Sequence, residues 1–120
     1  MPTEEELRAI LEKYTIEGEE LKLIASRDGL HLASVGIDED VMDTFAAMCA
    51  TMYGAGDTAF FEIDRKPAEY LALVSLDATL YILAAGDQML IAVLVGPSTP
   101  LVGVVSTMQK IAAEIVSLKS

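Results

Sequence analysis

The first apolar residues, Leu7, Ile10, Leu11 and Tyr14, recur at helical spacing. Thr3 precedes them with Glu6 three residues on, a pair whose side chains satisfy each other's free backbone N–H groups, so a first helix is predicted over about residues 3–15. Two short strands follow, "ELKLIAS" and "LHLASV", joined at Arg27-Asp28-Gly29, where Asp-Gly is a strong hairpin signal. "GIDEDV" then supplies Asp38 as an N-cap, with Glu39, Asp40 and Asp43 where a helix N-terminus favours negative charge. This second helix is predicted to run from Asp38 to Ile63, past Gly54 and Gly56, because Ala59 and Ile63 return to the face of Val41 and Met52. Arg65-Lys66-Pro67 breaks it. Three apolar strands come next, "EYLALVS", "TLYILAA" and "QMLIAVLV", with turns at Leu76-Asp77-Ala78 and Gly86-Asp87. "PSTP" offers Thr99 as N-cap and Pro100 as first residue of a last helix, whose stripe is Leu101, Val105, Met108, Ile111, Ala112, Ile115 and Leu118.

The predicted order is therefore α-β-β-α-β-β-β-α, an α+β chain. Its last three strands are almost continuously apolar instead of alternating, so both faces of the sheet should be covered, and three helices suffice for that. No repeat, linker or low-complexity tract divides the sequence, which reads as one domain over residues 1–120.

The second helix is unusual. Residues 44–56, "TFAAMCATMYGAG", hold no charged side chain, whereas a surface helix normally carries a charged back. At 100° per residue, Val41, Phe45, Met48 and Met52 share a narrow sector with Cys49 beside it, and this is read as the core stripe. Met42, Ala46 and Tyr53 form a second apolar flank about 100° away. The remaining arc, Asp43, Thr44, Ala47, Ala50, Thr51 and Gly54, is small and almost uncharged, so another backbone can approach it closely. Burial within the monomer and a subunit interface both account for such a helix. The interface is preferred, because a short chain has little material left to cover every side of one helix. "EYLALVS" adds to this: it follows a crossover, and as an edge strand it would be flat and nearly uncharged, which proteins avoid unless the edge is paired.

With 120 residues the chain can close a core, and 52% apolar residues exclude a disordered chain. A formal net charge of −11 argues against nucleic acid or an anionic membrane as partner. "MPTEEELRAI" is neither a signal nor a transit peptide, and the charge-free span from Gln88 to Gln109 is interrupted by Gly96, Pro97, Pro100 and Gly103, so no membrane insertion is expected. A cytoplasmic protein follows. A single cysteine, Cys49, excludes a disulfide framework and a multi-cysteine metal site.

The candidate chemistry is sparse. "GAGDTA", Gly54 to Ala59, has the letters of a dinucleotide fingerprint, but that motif needs a strand before it, and here a helix precedes it. "GPSTPLVG" has the glycines of a phosphate loop without its lysine. His31 stands without a second ligand, Cys49 lies mid-helix on apolar surroundings, and the acidic groups lack the alternating spacing of a calcium loop. No nucleophile, base and stabiliser come together, so no catalytic residue, metal site or cofactor is expected.

"LIASRDGLHLASVG", the long apolar helix and "LAAGDQMLIAVLVGPSTPLVGVV…IAAEI" resemble the Roadblock/dynein-light-chain family, from about Leu7 to Leu118. The resemblance implies a profilin-like fold, with a five-stranded antiparallel sheet between helices. It implies a homodimer formed through the second helix, Asp38 to Ile63, and the third strand, Glu69 to Ser75. The candidate interface is then Met42, Ala46, Ala47, Ala50, Tyr53 and Gly54 of the helix with Tyr70, Leu71, Ala72 and Leu73 of the strand. What stays exposed on the paired helices, with Asp43, Thr44, Ala47 and Thr51 as candidate contacts, is in related complexes a platform for small Ras-like GTPases. A scaffold without catalytic groups alters a GTPase by binding one of its conformations better than another. An inserted arginine is not expected, since Arg65 lies in a linker. Two other readings compete: a structural scaffold for other Roadblock-type proteins, and a small-molecule sensor for which Thr79 and Tyr81 are the best polar candidates.

Overall fold

A computed structural model describes residues 2–118. The chain runs α1 (Glu4–Lys13), β1 (Glu19–Ser26), β2 (His31–Val35), α2 (Glu39–Glu62), β3 (Leu71–Val74), β4 (Thr79–Ala85), β5 (Met89–Val95) and α3 (Leu101–Ser117). This is the order read from the sequence, with ends displaced by a residue or two. β3 is shorter than "EYLALVS", and α3 takes Pro100, not Thr99, as its N-cap, so Leu101 is its first helical residue. Pro100 keeps its ring-fixed φ of −65° but with an extended ψ of 131°, so the helix starts one residue later than the sequence suggests.

The five strands form one antiparallel sheet in the order β2-β1-β5-β4-β3. The central strand, β5, pairs along its whole length with β1 and β4. β3 lies at an edge, as its position after a crossover suggested. One core lies between the sheet and α1 with α3, built from Leu7, Leu11, Ile24, Ile91, Met108 and Ile111 among others. A second lies between the opposite face and α2, where Leu23, Leu80, Ile82 and Leu90 meet Ala46, Cys49 and Tyr53. Alternate residues of the same strand serve the two cores, which is why β4 and β5 read as unbroken apolar runs.

Local chemistry fixes the ends. The Thr3 and Glu6 capping box forms, with N–H to side-chain distances of 3.1 and 2.9 Å. Lys22, a buried cation, points its ammonium at the C-terminus of α1, donating to the carbonyls of Leu11 (2.5 Å) and Tyr14 (2.6 Å) and pairing with Glu19 at 3.1 Å. A positive charge there satisfies the last carbonyls and matches the negative end of the helix dipole. Gly36 holds a positive φ of 87° in the turn leading to α2, and a Cβ there would meet the Glu20 carbonyl oxygen at 2.6 Å. Among the described residues no helix is long and apolar enough to cross a membrane.

Candidate functional site

α2 remains a single helix through Gly54 and Gly56, and "GAGDTA" lies wholly inside it, with no strand before it. Its rotation differs from the one expected. The residues facing the sheet are Ala46, Cys49, Ala50 and Tyr53, whereas Val41 is 50% and Met48 57% exposed. Phe45 and Met52 are half-buried. The true core stripe is thus the small flank, roughly 120° round the helix from the bulky sector. The reason is steric. Alanine and cysteine let the helix axis sit close to the sheet, so that a Cβ on Gly29 of the β1–β2 turn would come 3.3 Å from the Cα of Ala47. Burial pushes the Cys49 thiol up to about 11, so it stays protonated at neutral pH.

This rotation redistributes the ten candidate interface residues. Ala46, Ala50 and Tyr53 are buried against their own sheet. Met42, Gly54, Tyr70 and Leu71 are half-buried, while Ala47, Ala72 and Leu73 are exposed. The candidate partner contacts Asp43, Thr44, Ala47 and Thr51 are all exposed on α2. In place of the buried residues the helix offers Phe45, Met48 and Met52 towards β3, with Val41 exposed in the same sector. Phe45, Met48 and Met52, together with Leu73 and Leu80, border an apolar groove of about 580 Å³ whose other walls are Thr44, Ala47 and Thr51.

The groove opens at the free edge of β3. Ser75 N–H donates to the Ala78 carbonyl at the β3–β4 turn, which sets the alternation of the ladder. Leu73 and Leu71 exchange bonds with Leu80 and Ile82, while Ala72 and Val74 turn their N–H and C=O groups outward. Directly opposed residues share a face, so Leu71 and Leu73 point to the α2 side and Ala72 and Val74 to the α3 side. The strand, "LALV", carries neither a charge nor a proline to blunt this edge. Gly54 and Gly56 add open surface on α2: a Cβ at either would meet nothing within 4 Å.

A polar cluster, which no local sequence signal marks, ties α2 to β3. Asp57 accepts from Arg27 Nη2 and from the backbone N–H of Ala68, each at 3.0 Å. The Tyr53 hydroxyl donates to the Ala68 carbonyl at 2.9 Å, and the Arg27 guanidinium lies 5.2 Å from the Tyr53 ring centre. These contacts pin the segment that delivers β3 to the edge. Elsewhere His31 shares a hydrogen bond of 2.8 Å with the Ser34 hydroxyl, and Thr79 and Tyr81 are buried in β4.

An apolar groove, an open strand edge and a helix ridge of small uncharged residues thus lie together on one side of the molecule. The Roadblock/LC7 domain profile matches residues 14–95. Among solved structures, the chain is similar to a Roadblock/LC7 domain from Streptomyces avermitilis (20% identity, 94% of each chain covered, TM-score 0.85). It is also similar to MglB from Myxococcus xanthus (16% identity, 94% of each chain, TM-score 0.83). The gliding protein MglB from Thermus thermophilus matches as well, at 18% identity over 96% of this chain and 89% of that one, with a TM-score of 0.83. Profilin II of Acanthamoeba castellanii shares the fold more distantly, at 12% identity over 86% of this chain and 89% of its own, with a TM-score of 0.58. No curated protein matches in sequence. With its five-stranded sheet, three helices and the match over residues 14–95, the chain belongs to the Roadblock/LC7 family.

Proposed function

We propose that the protein is a non-enzymatic, homodimeric regulator of a small Ras-like GTPase. One observation carries the reading: the exposed apolar sector of α2 and the unprotected edge of β3 lie side by side across a single groove. A second copy related by a two-fold axis covers both at once, joining two sheets through β3 and packing Met48 and its neighbours against their equivalents. The family to which the chain belongs supports this reading, and a relative described as MglB in a tetrameric arrangement is an example of self-association in it.

With that sector covered, the outward ridge of α2 stays free. Thr44, Ala47 and Thr51, where the groove wall turns outward, border it with small uncharged side chains, and Asp38, Glu39, Asp40 and Asp43 crowd its N-terminal end. This ridge is the proposed GTPase platform. It has no cation to insert into a nucleotide site, as Arg65 lies beyond the end of the helix, so it acts by favouring one conformation of its partner. Sedimentation velocity tests the dimer: the protein should sediment as two chains at micromolar concentration, and a monomer would remove the reading. Pull-down of Ras-like GTPases from the same genome, loaded with GDP or with a GTP analogue, tests the platform. Retention should depend on the nucleotide and be lost in Asp43→Arg, an exposed position outside the groove, while that variant stays dimeric. Equal recovery in both states would leave a GTPase-binding scaffold that favours neither conformation, and no recovery a scaffold without a GTPase.

A further inference from the structure

Two features lie outside the surface described so far. Leu76, at the tip of the β3–β4 turn, is fully exposed, although such tips are normally polar. On the α3 side of the sheet, an uncharged groove of about 290 Å³ lies between Tyr70 and the first turns of α3, lined by Leu101, Val102, Val105, Ser106 and Gln109. We propose that Leu76 of one copy seats in this groove of a second copy, a contact that rests on the homodimer reading and fixes its register.

The backbone supplies the argument. Ala72 and Val74 present the free N–H and C=O groups of β3, one on each side of Leu73. An antiparallel pair of identical strands uses all of them when Ala72 of each copy bonds Val74 of the other and the two-fold axis passes through Leu73. Tyr70 lies three residues before Leu73 and Leu76 three residues after it, so that axis sets Leu76 opposite Tyr70 of the other copy. Tyr70 packs against the core on the α3 side, and its groove opens beside it. Knob and hole therefore belong to one molecule, at equal steps from one symmetry axis. Shifting the register by two residues leaves the outward groups of one residue on each strand unmatched and takes Leu76 away from the groove.

Sedimentation of dilution series for the wild type, Leu76→Ser and Val102→Asp reads the contact, and both residues are exposed enough in the protomer for the variants to fold. Each leucine buried accounts for about tenfold in affinity and the symmetric dimer contains two, so Leu76→Ser should raise the dimer Kd about 100-fold. In a Cys49→Ala background, Leu76→Cys with Val102→Cys should oxidise to a disulfide between chains. A wild-type dimer whose Kd is unchanged in Leu76→Ser overturns the seat and leaves the homodimer standing. A wild type that stays monomeric throughout the series overturns both.

Discussion

The Arg27 guanidinium stands 3.0 Å from the Asp57 carboxylate, joining the β1–β2 turn to the C-terminal half of α2 across 30 residues of sequence. The same carboxylate holds the N–H of Ala68, so one side chain positions the helix, the turn and the approach to β3 together. Asp57→Ala leaves that N–H and the half-buried guanidinium without their acceptor. It should destabilise the protein by about 1–3 kcal/mol in urea unfolding. It should also raise amide exchange across Leu71–Val74 more than across β5. Uniform loss of protection would show that Asp57 serves global stability and not the placement of the edge.

The rotation of α2 makes opposite predictions for neighbouring positions. Ala46 is 0% exposed against Leu23 and Leu90, so Ala46→Glu buries a carboxylate with no partner and should cost more than about 3 kcal/mol, enough to unfold much of the protein. Met48→Glu changes an exposed side chain and should leave the far-UV circular dichroism of the protomer unchanged while dissociating the dimer. If Met48→Glu unfolds the chain and Ala46→Glu is tolerated, the helix sits the other way round.

How much of this was legible beforehand differs by element. The capping box at Thr3 and Glu6 and the hairpin at Asp28-Gly29 are short-range devices, and both form where the residues stand. β3 could be placed at an edge because it follows a crossover and not a tight turn. The phase of α2 could not be read correctly. Hydrophobic periodicity gives the angle of a core stripe only when the rest of the helix is polar, and here bulky side chains marked the exposed sector while small ones marked the core. Lys22 and the Arg27–Asp57 pair were invisible for another reason: each depends on groups brought together by the fold, and neither spacing carries a signal.

The Lys13, Tyr14 and Glu114 cluster joins α1 to α3, with Glu114 accepting from the Tyr14 hydroxyl and from Lys13 Nζ, the latter at 2.9 Å. The hydrogen bond from Tyr14, then that from Lys13, lowers the Glu114 pKa from its ordinary value of 4.5. A carboxylate depressed in the folded state contributes stability above its unfolded pKa, and the contribution is lost as pH falls through the folded value. Lys13 and Tyr14 are both raised, chiefly by their hydrogen bonds to Glu114, so their contribution is present below their ordinary values and is lost as pH rises through the raised ones. Thermal unfolding of Glu114→Gln should therefore differ from wild type at neutral pH and converge with it as pH falls below the ordinary glutamate value and through the lowered one. A constant offset across the acid range would show that the variant acts through packing.

Glycines of α2 and of the turn before it should respond to alanine with opposite signs. Gly36 holds φ at 87° with the Glu20 carbonyl 2.6 Å from any added Cβ, so Gly36→Ala strains the backbone and destabilises the protein. Gly54 and Gly56 lie mid-helix with open space above them, and each costs helix stability of up to about 1 kcal/mol relative to alanine. Within one protomer nothing requires them. Gly56→Ala should raise the unfolding free energy by about 0.5–1 kcal/mol when urea unfolding is followed in the monomeric Met48→Glu background. In the dimer the same methyl meets whatever approaches the helix. A smaller gain there, or a loss, would place the partner's backbone against Gly56, whereas an equal gain in both backgrounds would leave that surface open to solvent.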